Sequence, residues 1–172
     1  MEFMKRNVPR NGTTPRNNMN GMQNAAFARD IRRAYEDELN AMIGYVYAAT
    51  VLGKSMPSLA RLFDEIARVE LAHFEELGQL LLYLGADPTP NLLLRPTPLM
   101  GSGRLGEADL ARLAEQKIIS SLADEGSAER EYRRLAEVTE NEAIRDLLLH
   151  IASEEAGHQD ALKGMQRRMS GT

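Results

Sequence analysis

From Asn24 onward, apolar residues recur with a helical period, and no stretch shows the two-residue alternation of a strand. Stepping by four and three, one stripe runs Ile31, Tyr35, Glu38, Met42, Tyr45, Ala49, Leu52, and a second runs Leu59, Phe63, Ile66, Glu70, His73, Leu77, Leu80, Leu84. A third follows Ala114, Ile118, Ser121, Glu125, Ala128, Tyr132, Leu135, and a fourth Ile144, Leu148, Ile151, Glu155, His158, Leu162, Met165, Met169. Helix-breaking residues divide them. The first helix is predicted from about Asn24 to Leu52, stopped by Gly53, and the second from near Ser55, with Pro57 in its first turn, to Leu84 before Gly85 and Pro88. The third is predicted from about Glu107 to Val138, and the fourth from the break near Asn141 to about Met169. Short links make antiparallel hairpins of the first pair and of the second. Between them lies GADPTPNLLLRPTPLMGSGRLG, 22 residues. At roughly 3.3 Å per extended residue, such a segment can run the full length of a bundle of about 40 Å. The pattern predicts an all-α four-helix bundle made of two antiparallel hairpins and one long crossover, with residues 24–172 as the bundle. Residues 1–23, rich in Asn, Arg, Gly, Pro and Met, are predicted to form a disordered polar arm.

Each stripe is interrupted by acid near its middle: Glu38, Glu70, Glu125 and Glu155, with His73 and His158 three residues after the second and fourth. A stripe facing a bundle core is normally apolar, and four ionised carboxylates there repel one another and raise one another's pKa values. Two divalent cations bring four positive charges against the four negative ones, and neutral imidazoles complete the shells. Residues three apart share a helix face, so each Glu-x-x-His pair can reach one ion, and Glu38 and Glu125 can close the site from the other helices. The halves also repeat: Glu38-x-x-Ala41-x-x-x-Tyr45 returns as Glu125-x-x-Ala128-x-x-x-Tyr132, and Ile66-Ala67-x-x-Glu70-x-x-His73 as Ile151-Ala152-x-x-Glu155-x-x-His158. Tyr45 and Tyr132 lie on the stripes two turns past a ligand, where a buried phenol can hydrogen-bond a metal-bound carboxylate or simply fill the core. Glu75, Glu76, Glu129, Glu131 and Glu154 fall off the stripes and read as a solvated face, and His150 reads as a partly exposed histidine; Met165 and Met169 read as core filler.

Composition narrows the chemistry further. With no cysteine, the chain can have no disulfide, thiolate zinc site, cysteine-ligated cluster or cysteine nucleophile, so metal must be held by oxygen and nitrogen. A net charge of -4 with interspersed signs gives no basic stripe for nucleic acid, despite the local basicity of Lys5, Arg6, Arg10 and Arg16. The longest unbroken apolar run, Leu80 to Leu84, is far too short for a membrane span, and the N-terminus lacks the apolar segment of a signal peptide. A cytoplasmic protein is the expectation.

The order Glu, Glu-x-x-His, Glu, Glu-x-x-His over about residues 25–168 resembles the ferritin-like dimetal-carboxylate superfamily. It is similar to bacterioferritin, to rubrerythrin and its shorter bacterial relatives and, more loosely, to manganese catalase; IARVELAHFEELGQLLLYLGADP most resembles the second helix and exit turn of the rubrerythrin-like proteins. The resemblance implies a ferritin-like bundle with Glu38 and Glu155 as terminal ligands, Glu70 and Glu125 as bridges, and His73 and His158 binding one ion each. It implies two metal ions, iron first and manganese as the alternative, in a redox protein that reacts with hydrogen peroxide or dioxygen, a rubrerythrin-like peroxidase or oxidase fed by an unknown electron donor. Ferritin-type iron oxidation and storage, and manganese-catalase-like peroxide disproportionation, are the alternatives, with a metal-stabilised coat protein as a third. A homo-oligomer, a dimer before larger forms, is implied by the same likeness. Where rubrerythrins usually carry a further glutamate one turn after the third-helix ligand, this chain has Ala128, and without cysteine it has no rubredoxin-like iron site.

Overall fold

The computed structural model describes residues 21–90 and 105–171. Four helices follow one another: α1 Gly21–Leu52, α2 Pro57–Tyr83, α3 Glu107–Val138 and α4 Glu142–Ser170. Among the described residues there is no strand. The predicted polar arm loses its last residues to α1, which starts at Gly21 rather than Asn24; nothing between these positions breaks a helix that Phe27 and Ile31 anchor in the core. The rest of the arm, and the middle of the crossover, lie outside the described residues.

Local chemistry sets the other boundaries. Pro57 opens α2 itself, later than Ser55, because proline at the first helical position gives up only an N–H that the first turn leaves unused. At its other end Gly85 takes the left-handed conformation (φ 75°), with Gly85 N–H donating to Leu82 O and Ala86 N–H to Leu81 O, so the helix closes one residue short of Leu84. Asn141 caps α4, its Oδ1 accepting from Ala143 N at 3.0 Å and Ile144 N at 3.2 Å. Arg145 ties the α3–α4 turn together by donating to Ala136 O and Thr139 O.

The contacts fix the arrangement. Glu38 meets Tyr132 and Tyr45 meets Glu125, which requires α1 and α3 to be antiparallel; His73 with Glu155 and Glu70 with His158 require the same of α2 and α4. Helix α1 packs closely on α2 and α3 on α4, with looser contacts between α1 and α3 and between α2 and α4, so the crossover joins diagonal helices. This is the ferritin-like arrangement of two hairpins. The core splits into two apolar clusters. One gathers Phe27, Ile31, Leu77, Leu80, Leu135 and Leu148, the other Leu52, Leu59, Phe63, Ile118, Leu162 and Met165. The interrupted centres of the four stripes form a polar layer between them. Among the described residues no helix is long and apolar enough to cross a membrane.

Candidate metal centre

Glu38 on α1, Glu70 and His73 on α2, Glu125 on α3, and Glu155 and His158 on α4 all turn into this layer. Their exposure runs from 0% at His73 to 8% at His158, so all six predicted residues are brought together and buried. Their donor atoms form two groups able to hold a metal ion: Glu38, Glu70, His73 and Glu155 in one, and Glu70, Glu125, Glu155 and His158 in the other, each with its atoms within 4.8 Å of one another.

The shared members are Glu70 and Glu155. The resemblance implied Glu70 and Glu125 as bridges and Glu155 as terminal; in the structure it is Glu155, with Glu70, that belongs to both groups. Glu70 and Glu155 stand on the two helices that also carry the histidines, and each faces both rings. His73 Nδ1 lies 3.3 Å from Glu70 and 3.0 Å from Glu155, and His158 Nδ1 lies 3.2 and 3.4 Å from the same pair. Glu38 approaches only His73, at 3.7 Å, and Glu125 only His158, at 3.4 Å. Both imidazoles therefore present Nδ1 to the centre.

Tyr132 donates its hydroxyl to Glu38 and Tyr45 donates its own to Glu125. Each tyrosine thus restrains the carboxylate of the opposite hairpin, which satisfies the buried phenol and holds the acid's rotamer. Glu154, expected on the solvated face, keeps its side chain 39% exposed and also meets His73 Nε2 at 2.9 Å, and His150 Nε2 lies 3.4 Å from the same oxygen. A proton on His73 Nε2 leaves Nδ1 as the acceptor or ligand atom. His150 is outside both groups, with its side chain 60% exposed. Lys117, which no seam pattern marks, sits with Nζ 3.9 Å above the Tyr45 ring.

Without cations the layer holds protons. Burial pushes the Glu38 carboxyl well up, helped by Glu70 and Glu155, and burial with Glu155 and Glu70 pushes Glu125 up to about 8. For Glu70 and Glu155 burial also acts upward, but the histidine contacts outweigh it and hold both below the usual range. Burial alone lowers an imidazole; the surrounding carboxylates reverse this, raising His73 strongly and His158 to about 11. Two carboxylate oxygens, Glu70 Oε1 and Glu155 Oε1, are nevertheless buried without a hydrogen-bond donor, although a histidine nitrogen stands near each. Orphaned acceptors on the two shared glutamates, in an all-oxygen and imidazole donor set with four acids, fit a pair of divalent cations.

A cavity of about 580 Å³ opens between α1 and α3 and has Glu38, Glu70, Glu125 and Glu155 at its floor. Small side chains keep it open: Ala34, Ala41, Ser127 and Ala128. Its rim is mainly acidic, with Asp30, Asp37, Asp124 and Glu131 beside Arg33 and Lys117. The like charge of Glu36 and Asp124 adds to burial in raising Asp37, while Arg33 opposes it.

The family described as Ferritin-like domain matches residues 29–171. Among solved structures, the bacterioferritin of Rhodobacter capsulatus, described as having a metal-free dinuclear site and a haem iron, is similar at 21% identity with a TM-score of 0.63, over 81% of this chain and 82% of that one. At that identity the likeness concerns the fold. No curated protein matches the chain.

Proposed function

Since the chain belongs to the ferritin-like domain family, we propose that the buried layer holds two iron ions and that the protein oxidises iron(II) with dioxygen or hydrogen peroxide. The observation that carries this reading is the sharing of Glu70 and Glu155 by two donor groups, each completed by one further glutamate and one histidine. Glu38 and His73 would hold one ion, Glu125 and His158 the other, and Glu70 and Glu155 would lie between them. Bound there, the pair supplies one electron per ion, so one peroxide and two protons become two waters as two iron(II) become iron(III). The protein's own part is positional. Glu70 and Glu155 would set the spacing, Tyr132 and Tyr45 steady Glu38 and Glu125, and the apolar clusters close the layer on either side, leaving the cavity as its opening.

The mainly acidic rim favours a cation as the species that travels inward. That supports iron oxidation ahead of a rubrerythrin-like peroxidase, in which a separate donor feeds electrons to a resident centre. Donor chemistry alone suits manganese as well as iron; family membership favours iron. Cytoplasmic location and self-association, a dimer at least, belong to the same proposal. Storage of the oxidised product adds a closed cage, which size-exclusion chromatography separates from a dimer.

The test is anaerobic loading with iron(II), then addition of air or peroxide while the iron(III) absorbance is followed. Two irons per chain and prompt oxidation are expected; His158→Ala, which touches one of the two groups, is expected to leave about one iron per chain and to lose the prompt oxidation. A chain that takes up no iron ends this reading; peroxide consumption that needs a reductant and turns over without net iron oxidation favours the peroxidase, and oxygen release favours a catalase.

A further inference from the structure

The two hairpins repeat each other, so every residue around one metal position has a counterpart around the other. Several counterparts differ in charge, Arg33 against Ser120 and Glu131 against Gly44 on the cavity rim among them, and two of the differences touch a ligand or the tyrosine that bonds one. Glu154 stands immediately before Glu155 and holds His73 Nε2 at 2.9 Å, with His150 behind it. The corresponding residue, immediately before Glu70, is Val69. Among the described residues the ion pairs of His158 all run through Nδ1, and its side chain is 10% exposed where that of His73 is fully buried. One imidazole thus has a carboxylate behind it and the other does not.

The second difference lies in the cavity. Lys117, eight residues before Glu125, keeps its ammonium 3.9 Å over the ring of Tyr45, the tyrosine that bonds Glu125. Eight residues before Glu38 stands Asp30, which pairs with Arg134 at 2.8 Å and Arg33 at 3.6 Å. A positive charge therefore lies beside one metal position, and its counterpart at the other is an acid whose charge Arg33 and Arg134 already offset.

Both differences act in the same direction. A carboxylate on the distal nitrogen of a ligating histidine fixes the tautomer and makes the ring a stronger donor, and its removal typically weakens metal binding by roughly 10- to 100-fold. A neighbouring ammonium opposes a second cation, most strongly where burial limits screening. We propose that the two metal positions are unequal: the one at Glu38 and His73 keeps its ion, the one at Glu125 and His158 exchanges its ion, and Glu154 and Lys117 are the positioning residues that set the difference. The inference rests on the dimetal reading above and deepens it. A resident ion beside an exchangeable one suits a protein whose substrate is itself a metal ion: iron(II) would arrive and iron(III) depart at one position, and a further incoming iron(II) would return the resident ion to iron(II), so that two substrate ions are oxidised per peroxide.

The test is calorimetric titration of the metal-free full chain with cobalt(II) under nitrogen, with the visible absorption of cobalt as a second record. The wild-type chain is expected to bind two ions in resolved steps at least about tenfold apart in dissociation constant. Glu154→Val weakens the tighter step by roughly 10- to 100-fold and spares the weaker one. Val69→Glu, which supplies the missing acid, and Lys117→Met each tighten the weaker step, whereas Lys117→Arg leaves it as in the wild type. Far-ultraviolet circular dichroism checks the fold of each variant, and should Glu154→Val not fold, Val69→Glu and Lys117→Met decide. Two ions bound at one affinity overturn the inequality and leave the dimetal reading standing, as does a Glu154→Val chain whose two steps move together or not at all. A wild-type chain that binds no cobalt overturns both.

Discussion

Glu70 and Glu155 are the residues on which the centre turns, because each faces both histidines and each has an oxygen with no donor. Their removal has a different consequence from that of the outer pair. Glu70→Ala or Glu155→Ala takes a donor from both groups and is expected to abolish binding of both ions, whereas Glu38→Ala or Glu125→Ala touches one group and is expected to leave about one ion per chain; elemental analysis after gel filtration distinguishes these results, and equal losses from all four variants contradict the sharing. Tyr132→Phe strips Glu38 of its buried donor and is expected to destabilise the metal-free chain by about 1–3 kcal/mol, read by chemical denaturation. At this scale the sequence was legible wherever a polar residue interrupted an apolar period, which is how all six donors and both tyrosines could be named. The partner of each tyrosine was not legible, since the contacts join α1 to α3 across 80 and 94 residues. Glu154 was hidden because it stands beside the stripe of its own helix, on a part-exposed flank that only the approach of α2 brings within reach of His73. Lys117 was hidden because a long flexible stem carries its charge from off the stripe to the ring of Tyr45.

The helices divide the labour. Within each hairpin the packing is close, while α1 and α3 meet more loosely around a cavity kept open by Ala34, Ala41 and Ala128. The periodic stripes predicted four helices and their pairing, but not that two of the stripes would stand apart, because small residues are compatible with either close approach or a gap. Filling the gap tests its use: Ala128→Leu is expected to slow iron(II) oxidation at least about tenfold while the iron content at equilibrium stays at the wild-type value, as stopped-flow absorbance and elemental analysis will show. An unchanged rate places the route to the centre elsewhere. The ends of the helices were legible to the extent that single residues dictate them, as Pro57, Gly85 and Asn141 do. Asn141→Ala removes the acceptor for two N–H groups of α4 and is expected to lower stability by about 0.5–2 kcal/mol in a thermal melt. The start of α1 was less legible, since Asn24 is a residue type that often caps a helix but here lies inside one, with the buried Phe27 and Ile31 anchoring the turns that follow.

For the molecule as a whole, a charged layer between two apolar clusters is a source of instability that either protons or metal ions relieve, and pH decides between them. In the metal-free chain the folded state holds protons the unfolded state has released: Glu125 titrates at about 8 rather than 4.5, His158 at about 11 rather than 6.5, and Glu38 and His73 are raised too. A group whose pKa is higher in the folded state stabilises fully below its unfolded value and loses that contribution as pH rises toward its folded value. Glu70 and Glu155 shift the other way, so their contribution is lost only on acidification below the carboxylate range and stays constant above about pH 5. The metal-free protein is therefore expected to melt at progressively lower temperature from pH 5.5 to 8. Metal ions compete for the same atoms and expel the same protons, so their affinity rises over that interval, and with it the stabilisation that binding confers. The gap in Tm between chains loaded with iron(II) under nitrogen and metal-free chains should accordingly widen as pH increases, with protons released on loading detectable in weakly buffered solution. A gap that stays flat or narrows means that cations do not replace protons on these six side chains, and the charge compensation that makes a layer of buried acids tolerable in this bundle must then come from the protons alone.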